Sequence, residues 1–268
     1  MSEPRNAPIV AVDIGNSRIK LAWFETVTAQ AGQLPSPSRL LDLVPTLDAG
    51  ERAALRTWLE NDRHGEVPWF IGSVQRDTTS RLVELLRDEG ATRITLLASS
   101  DLDLKVSLPR PDMVGIDRLL GAVAANRLRN AARPAIVVDL GTAITVDLVS
   151  PQGAFMGGAI LPGIFMSARA MHEFTDLLPF IDMHALAEPP PALGTGTVEA
   201  MTSGLFWGAV GGVRTLIELF SPPSSRPEVF LTGGAAPSVA PLLAADARHE
   251  PNLVLSGIAL AAAKLADR

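Results

Sequence analysis

The 268-residue chain contains no cysteine and no tyrosine. Without cysteine there is no disulfide, no thiolate zinc site and no thiol nucleophile. Without tyrosine there is no phenolic hydroxyl to serve as an acid or as a ring-borne hydrogen-bond donor. No apolar run reaches the ~18 residues of a membrane-spanning helix. The polar stretch from Met1 to Pro8 has no signal-peptide form. These absences predict a cytoplasmic protein that neither inserts in nor binds a membrane. Positive charge is also in short supply: 23 Lys and Arg against 29 Asp and Glu give a net charge of −6. The basic residues are scattered, so the electrostatic footprint of a nucleic-acid binder is missing. The four histidines, His64, His172, His184 and His249, show no metal-ligand spacing. No Gly-x-x-x-x-Gly-Lys-Ser/Thr loop, no Gly-x-Gly-x-x-Gly after the first strand and no Gly-x-Ser-x-Gly elbow occurs. A P-loop kinase, a dinucleotide-binding domain and a serine hydrolase are all disfavoured.

What is present is a core-forming composition, 47% hydrophobic and 19% charged. A chain of this length buries roughly 75% of its unfolded surface and suits two packed lobes. Short β-branched runs alternate with helical periodicity. Strands are predicted at Ile9–Val12, Ile19–Phe24, Trp69–Val74, Ile94–Leu97, Ala135–Leu140, Ile144–Val149, Ala154–Ile160 and Val229–Leu231. Helices are predicted at Arg52–Asn61, Thr79–Glu89, Val114 to about Asn130, Ile164–Leu178, Thr197–Leu219 and Val239–Ala244. Gly90, Pro134 and Pro162-Gly163 punctuate them. Leu104–Pro111 reads as extended, and the proline-rich Ala187–Leu193 as a loop. In the long helix, Gly204, Gly208, Gly211 and Gly212 read as small residues on packing faces.

Two segments match each other: Asp13-Ile14-Gly15-Asn16 and Asp139-Leu140-Gly141-Thr142. Each follows a buried strand and precedes a returning one. The repeat, with a period of about 126 residues, is too long for a solenoid and predicts two duplicated lobes across a cleft. Glycine in such a turn lets the backbone approach a phosphate closely. Asn16 and Ser17 add donors. Asp13, at a strand end, can hold Mg²⁺ directly or through water. An ordinary hairpin turn is the alternative for either segment alone. Two copies on one cleft would clamp a polyphosphate. Thr232-Gly233-Gly234-Ala235 after a strand suits a nucleotide lying against backbone, or simply a helix start. Gly115-Ile116-Asp117-Arg118 at a helix start has two uses. The carboxylate can accept a proton from an attacking hydroxyl, and the guanidinium can fork onto a carboxylate or phosphate. The alternative is an aspartate favoured by the helix dipole with an exposed arginine.

In order and spacing, five segments resemble the type III pantothenate kinases of the actin-like superfamily. They are Asp13–Lys20, Gly115–Arg118, Asp139–Asp147, Gly157–Gly163, and Gly194–Met201 with Gly204. The resemblance implies an α/β fold of two duplicated actin-like (ribonuclease H-like) lobes, with mixed sheets flanked by helices and the active site between the lobes. The lobes are expected at 1–118 and 119–268, with a last helix, about 256–268, packing back on the first. It implies ATP-dependent phosphorylation of pantothenate, with Mg²⁺ and a monovalent cation (K⁺ or NH₄⁺), in a homodimer. Carried onto this chain, Asp13, Ile14, Gly15, Asn16, Ser17, Arg18, Ile19 and Lys20 line the ATP phosphates, with Asp13 near Mg²⁺. Thr142 contacts ATP and Asp139 binds the monovalent cation. Gly115, Ile116, Asp117, Arg118 and Thr197 contact pantothenate, and Asp117 is the general base. Where the family has a Tyr-x-x-Pro pattern, this chain has Leu108-Pro109-Arg110-Pro111. That keeps an apolar wall and loses a hydroxyl. Another actin-like small-molecule kinase and a non-catalytic regulatory homologue remain the alternatives.

Overall fold

β1 (Ile9–Ile14) and β2 (Ile19–Phe24) pair antiparallel, and β2 continues into β3 (Arg39–Leu43). On its other side β1 pairs in parallel with β4 (Trp69–Ser73), and β4 with β5 (Ile94–Leu96). The sheet order is β3-β2-β1-β4-β5. The computed structural model describes residues 7–27, 30, 32–59, 65–182, 188–222, 225–243 and 246–266. The helices of this part are α1 (Ala49–Leu59), α2 (Arg76–Asp88), α3 (Ile116–Leu128) and, from the end of the chain, α7 (Leu253–Ala266). Strand alternation divides the sheet into two faces. Val10, Val12 and Ile14 join Leu55 of α1 and Leu82 and Leu86 of α2 in one core. α7 packs on β1 and on α3. That contact is close because α7 is rich in small residues: a Cβ on Gly257 would lie 2.2 Å from the Leu120 carbonyl oxygen.

The same plan recurs further along the chain. β6 (Ala135–Leu140) pairs antiparallel with β7 (Ala143–Val149), which pairs antiparallel with β8 (Phe155–Pro162). β6 also pairs in parallel with β9 (Glu228–Thr232), and β9 with the two-residue β10 (Arg248–His249). The order β10-β9-β6-β7-β8 is that of the first sheet read from its other edge. α4 (Ile164–Glu173), α5 (Thr197–Phe220) and α6 (Ala236–Leu243) complete this part. Ile136, Val138 and Leu140 of β6 pack with Phe206, Val210 and Val213 of α5 and Val239 of α6. β1 and β6 carry the same run of burial, four buried residues, a half-buried aspartate and a buried aliphatic.

The chain divides into two compact units. Unit 1 is Met1–Leu128 with Asn252–Arg268, and unit 2 is Arg129–Pro251. The boundary expected after residue 118 falls inside α3, whose buried residues extend from Ile116 to Leu128. β3 and β10 were not anticipated. β3 is a half-exposed edge strand and β10 is two residues long, so neither leaves a strong hydrophobic pattern. The helix expected over Ile164–Leu178 ends at Glu173. Beyond it Phe174 and Leu177 stand exposed, so apolar residues continue where no packed face does. Gly204, Gly208 and Gly211 face no packed neighbour among the described residues, for a Cβ at each would meet open space there. Gly212 alone of the four approaches a neighbour, Leu161, at 3.2 Å. His64 and His184, and the last residues of the helix expected to Asn61, lie outside the described residues.

Candidate active site

In unit 1 the strand ends bring two sequence motifs to one place. β1 closes with Asp13 and Ile14, and the chain turns through Gly15, Asn16, Ser17 and Arg18 into β2. The Gly15 N–H donates to the Arg18 carbonyl at 3.0 Å, which closes the turn. Asn16, Ser17 and Arg18 are exposed, while Asp13 is half-buried. Directly across the β1–β2 ladder from Asp13 is Lys20, which in turn faces Asp42 on β3. On the parallel side Asp13 pairs with Gly72 and Ile14 with Ser73. The Val74 N–H then donates to the Ile14 carbonyl at 3.1 Å. The C-terminal ends of adjacent strands are where ligands bind in open α/β sheets.

The first turn of α3 lies against this end. A Cβ placed on Gly115 would be 3.7 Å from Val74 Cγ1 and only 2.5 Å from Asp117 Oδ1. Gly115 is therefore the seat of the Asp117 carboxylate: any side chain there would displace it. Asp117 Oδ1 accepts the N–H of Arg118 at 2.8 Å. The bond anchors one carboxylate oxygen on the helix N-terminus. So Asp13–Lys20 and Gly115–Asp117 are linked through Ile14 and Val74. The segment before them, expected as extended, ends in a 3-10 turn over Pro111–Met113. On this segment Leu108 is half-buried, and Arg110 grips Asp112 at 2.9 and 3.1 Å. The guanidinium holds the Asp112 carboxyl below the usual carboxylate range.

In unit 2 the equivalent turn is braced. A Cβ on Gly233, whose φ is +93°, would meet Asp139 Oδ1 at 2.5 Å and the Leu140 backbone at 2.6 Å. Gly141 offers the same carboxylate a second open flank, at 3.3 Å. From the end of β8, the Gly163 N–H donates to the Thr142 carbonyl at 3.0 Å. A Cβ there would lie 2.4 Å from the carbonyl oxygens of both Gly141 and Thr142. Across the sheet Asp139 faces Thr145 on β7 and Thr232 on β9, both uncharged. Asp147, almost wholly buried, lies opposite Gly158, whose missing side chain leaves room for its carboxylate.

Thr197 opens α5 behind a glycine N-cap, Gly196, that supplies no side-chain cap. The approach is held instead by Glu199, which accepts the Thr195 hydroxyl at 2.6 Å and the Thr195 N–H at 2.8 Å. These bonds lower the Glu199 carboxyl below its ordinary value, the hydroxyl bond most. Gly194 lies so close to the helix that a Cβ would meet the Ala200 nitrogen at 2.2 Å. The proline-rich strap before it is tied to α5 by Ser203 to the Ala192 carbonyl and Trp207 to the Pro190 carbonyl.

A family model for type III pantothenate kinase matches residues 9–219. The chain belongs to the type III pantothenate kinase family. Among relatives that carry that family's name, one from Rhodopirellula baltica is 34% identical, covering 93% of this chain and 96% of its own. Another, from Rubrobacter xylanophilus, is 33% identical over 97% and 99% of the two chains. The fold is similar to that of MreB 5 of Spiroplasma citri, solved with AMPPNP, at 10% identity, a TM-score of 0.51 and 96% coverage of both chains. It is equally similar to the activator of 2-hydroxyisocaproyl-CoA dehydratase from Clostridium difficile, at 12% identity, a TM-score of 0.51 and coverage of 97% and 95%. At such identities the likeness is one of fold, the actin-like two-lobe α/β arrangement. Sequence reasoning located the family's motifs but not the parts that seat them. Gly233 and Gly163 had been noted only within glycine-containing segments, and Val74 only as a strand end. No local pattern marks a residue as the neighbour of a carboxylate distant in sequence.

Proposed function

We propose that this chain transfers the γ-phosphoryl group of ATP to the primary hydroxyl of pantothenate, yielding 4'-phosphopantothenate, the first step towards coenzyme A. The observation that carries this reading beyond family membership is the seating of Asp117. Its carboxylate is fixed by Gly115 and the Arg118 N–H at the same end of the sheet as the Asp13 turn. Asp117 is the general base. As the hydroxyl oxygen bonds to the γ-phosphorus, the proton passes to Asp117 Oδ2 and ADP leaves. Positioning and electrostatics supply most of the acceleration in phosphoryl transfer. The exposed turn Gly15–Arg18, with Ile14, Ile19 and Lys20 behind it, receives the phosphates. Thr142 contacts ATP. Gly115, Ile116, Arg118 and Thr197 hold pantothenate, and Leu108 lines the pocket where relatives of the family use tyrosine.

Two cations belong to this reading. Among the described residues no three His, Asp or Glu side chains gather as a ligand group. Mg²⁺, which keeps its waters and needs few carboxylates, fits Asp13 together with phosphate oxygens. A monovalent cation fits Asp139, whose carboxylate is flanked by glycines and by neutral sheet neighbours. The cations offset phosphate charge when bound. The working enzyme is a cytoplasmic homodimer. What supports the dimer is α5, where Gly204, Gly208 and Gly211, spaced four and three residues apart, are exposed with no neighbour among the described residues. Helix-interior glycines cost about 1 kcal/mol each relative to alanine, a cost that a closely approaching second chain would offset.

The test is ADP release from ATP with pantothenate, Mg²⁺ and K⁺. Asp117→Ala should lower kcat by ~10²–10⁴-fold while ATP binding, read by titration, stays within twofold. A normal kcat in that variant removes the base assignment. Turnover of another alcohol in place of pantothenate removes the substrate.

A further inference from the structure

Val74 follows β4 and stands outside the hydrophobic core of unit 1, with 37% of its surface exposed. The residues beside it are turned to a structural task. Ser73 Oγ accepts the Gln75 N–H at 3.0 Å and shares a 2.6 Å hydrogen bond with the Thr79 hydroxyl. Gln75 caps α2 by accepting the Thr78 N–H at 3.1 Å. Val74 takes no part in that cap, and its backbone is tied instead to β1 by the bond to the Ile14 carbonyl. An exposed aliphatic side chain thus stands on backbone anchored at the strand end. It stands beside the glycine that seats the proposed base: the point where a Cβ on Gly115 would sit is 3.7 Å from Val74 Cγ1 and 2.5 Å from Asp117 Oδ1. A methyl group and the proposed base therefore flank the same spot.

The chemistry of pantothenate gives that juxtaposition a use. Its primary hydroxyl is borne by a methylene attached to a quaternary carbon with two geminal methyls. A hydroxyl presented to Asp117 brings those methyls with it, separated from the oxygen by only two carbons. We propose that Val74 is a specificity-determining residue, the apolar wall that receives the geminal methyls while Asp117 receives the hydroxyl. This rests on the pantothenate kinase reading and adds how that site tells its substrate from an unbranched primary alcohol.

The test is a substrate-by-variant cycle. Wild type, Val74→Ala and Val74→Thr are assayed with pantothenate and with the synthetic analogue lacking both methyls. Thr keeps the shape of Val and replaces a methyl by a hydroxyl. With pantothenate, Val74→Ala should raise KM about tenfold, the scale of a lost aliphatic contact, with kcat and the KM for ATP within twofold. Val74→Thr should reproduce most of that rise. With the analogue, the three enzymes should share one KM. A loss equal on both substrates, or no loss on either, overturns the proposal while leaving the kinase reading intact. Failure of the wild type to phosphorylate pantothenate overturns the kinase reading and this inference with it. Thermal midpoints within a few degrees of wild type exclude misfolding as the cause.

Discussion

The turns after β1 and β6 occupy the same position in two sheets of the same order, yet they are built oppositely. After β1 the chain from Gly15 to Arg18 is an exposed loop closed by one backbone bond, and a Cβ on Gly15 would meet only ordinary contact at 3.4 Å. After β6 the turn is shorter and is pinned by Gly163 and Gly233, neither of which has room for a Cβ. The electrostatics differ as well. Asp13 faces Lys20 across the ladder, whereas Asp139 faces Thr145. One copy of the repeat thus has a lysine as its aspartate's cross-strand neighbour, and the other has a threonine. The two turns share one scaffold and differ at single residues, and under the proposed function the first faces phosphate and the second a cation.

The largest effect that would break this comparison is expected at Asp139. Asp139→Asn should lower kcat/KM by about 100-fold, the scale of one lost electrostatic contact in an active site, and abolish activation by added K⁺. Thr145→Lys recreates in unit 2 the pairing of unit 1. It should flatten the rate against K⁺ concentration, and a retained K⁺ response would remove Asp139 from that role. Next in size is the contrast between glycines. Gly163→Ala should destabilise by about 2–3 kcal/mol in urea unfolding, as overpacking against backbone does. Gly15→Ala should change stability by less than about 1 kcal/mol. Equal values would mean that the two turns are braced alike. Smaller again, Gly115→Ala should lower kcat about tenfold by displacing the Asp117 carboxylate, with little change in melting temperature.

The smallest effect concerns pH at Glu199. Its carboxyl is held low by the Thr195 hydroxyl first and the Thr195 N–H second. A depressed carboxyl stabilises the fold above its unfolded pKa, and that contribution is lost as pH falls through the lowered folded value. Urea midpoints taken from neutral pH into that acidic range should therefore fall more for wild type than for Glu199→Gln. Parallel curves would show that the Thr195–Glu199 contact is not formed in solution.

Much of the site was legible because it is local. A strand, an aspartate and a glycine turn are written in consecutive residues, so Asp13–Lys20 and Asp139–Asp147 could be read as a repeat. Asp117 could be recognised at a helix start for the same reason. Edge strands β3 and β10 escaped because half-exposed or very short strands carry little periodicity. Gly204, Gly208 and Gly211 read as packing residues because small size signals close approach. Spacing alone cannot say that no described residue packs against them.

By itself the sequence determined the strand–turn units and their duplication, and it marked Asp13, Asp117 and Asp139 as candidates, all of which depend on neighbours in the chain. Only the tertiary structure decided which glycine seats which carboxylate. Gly233 reaches Asp139 from β9, Gly163 reaches Thr142 from β8, and Gly115 and Val74 meet beside Asp117. Steric room at 2.5 Å is a property of distant segments brought together, and it is settled when the sheets and helices pack.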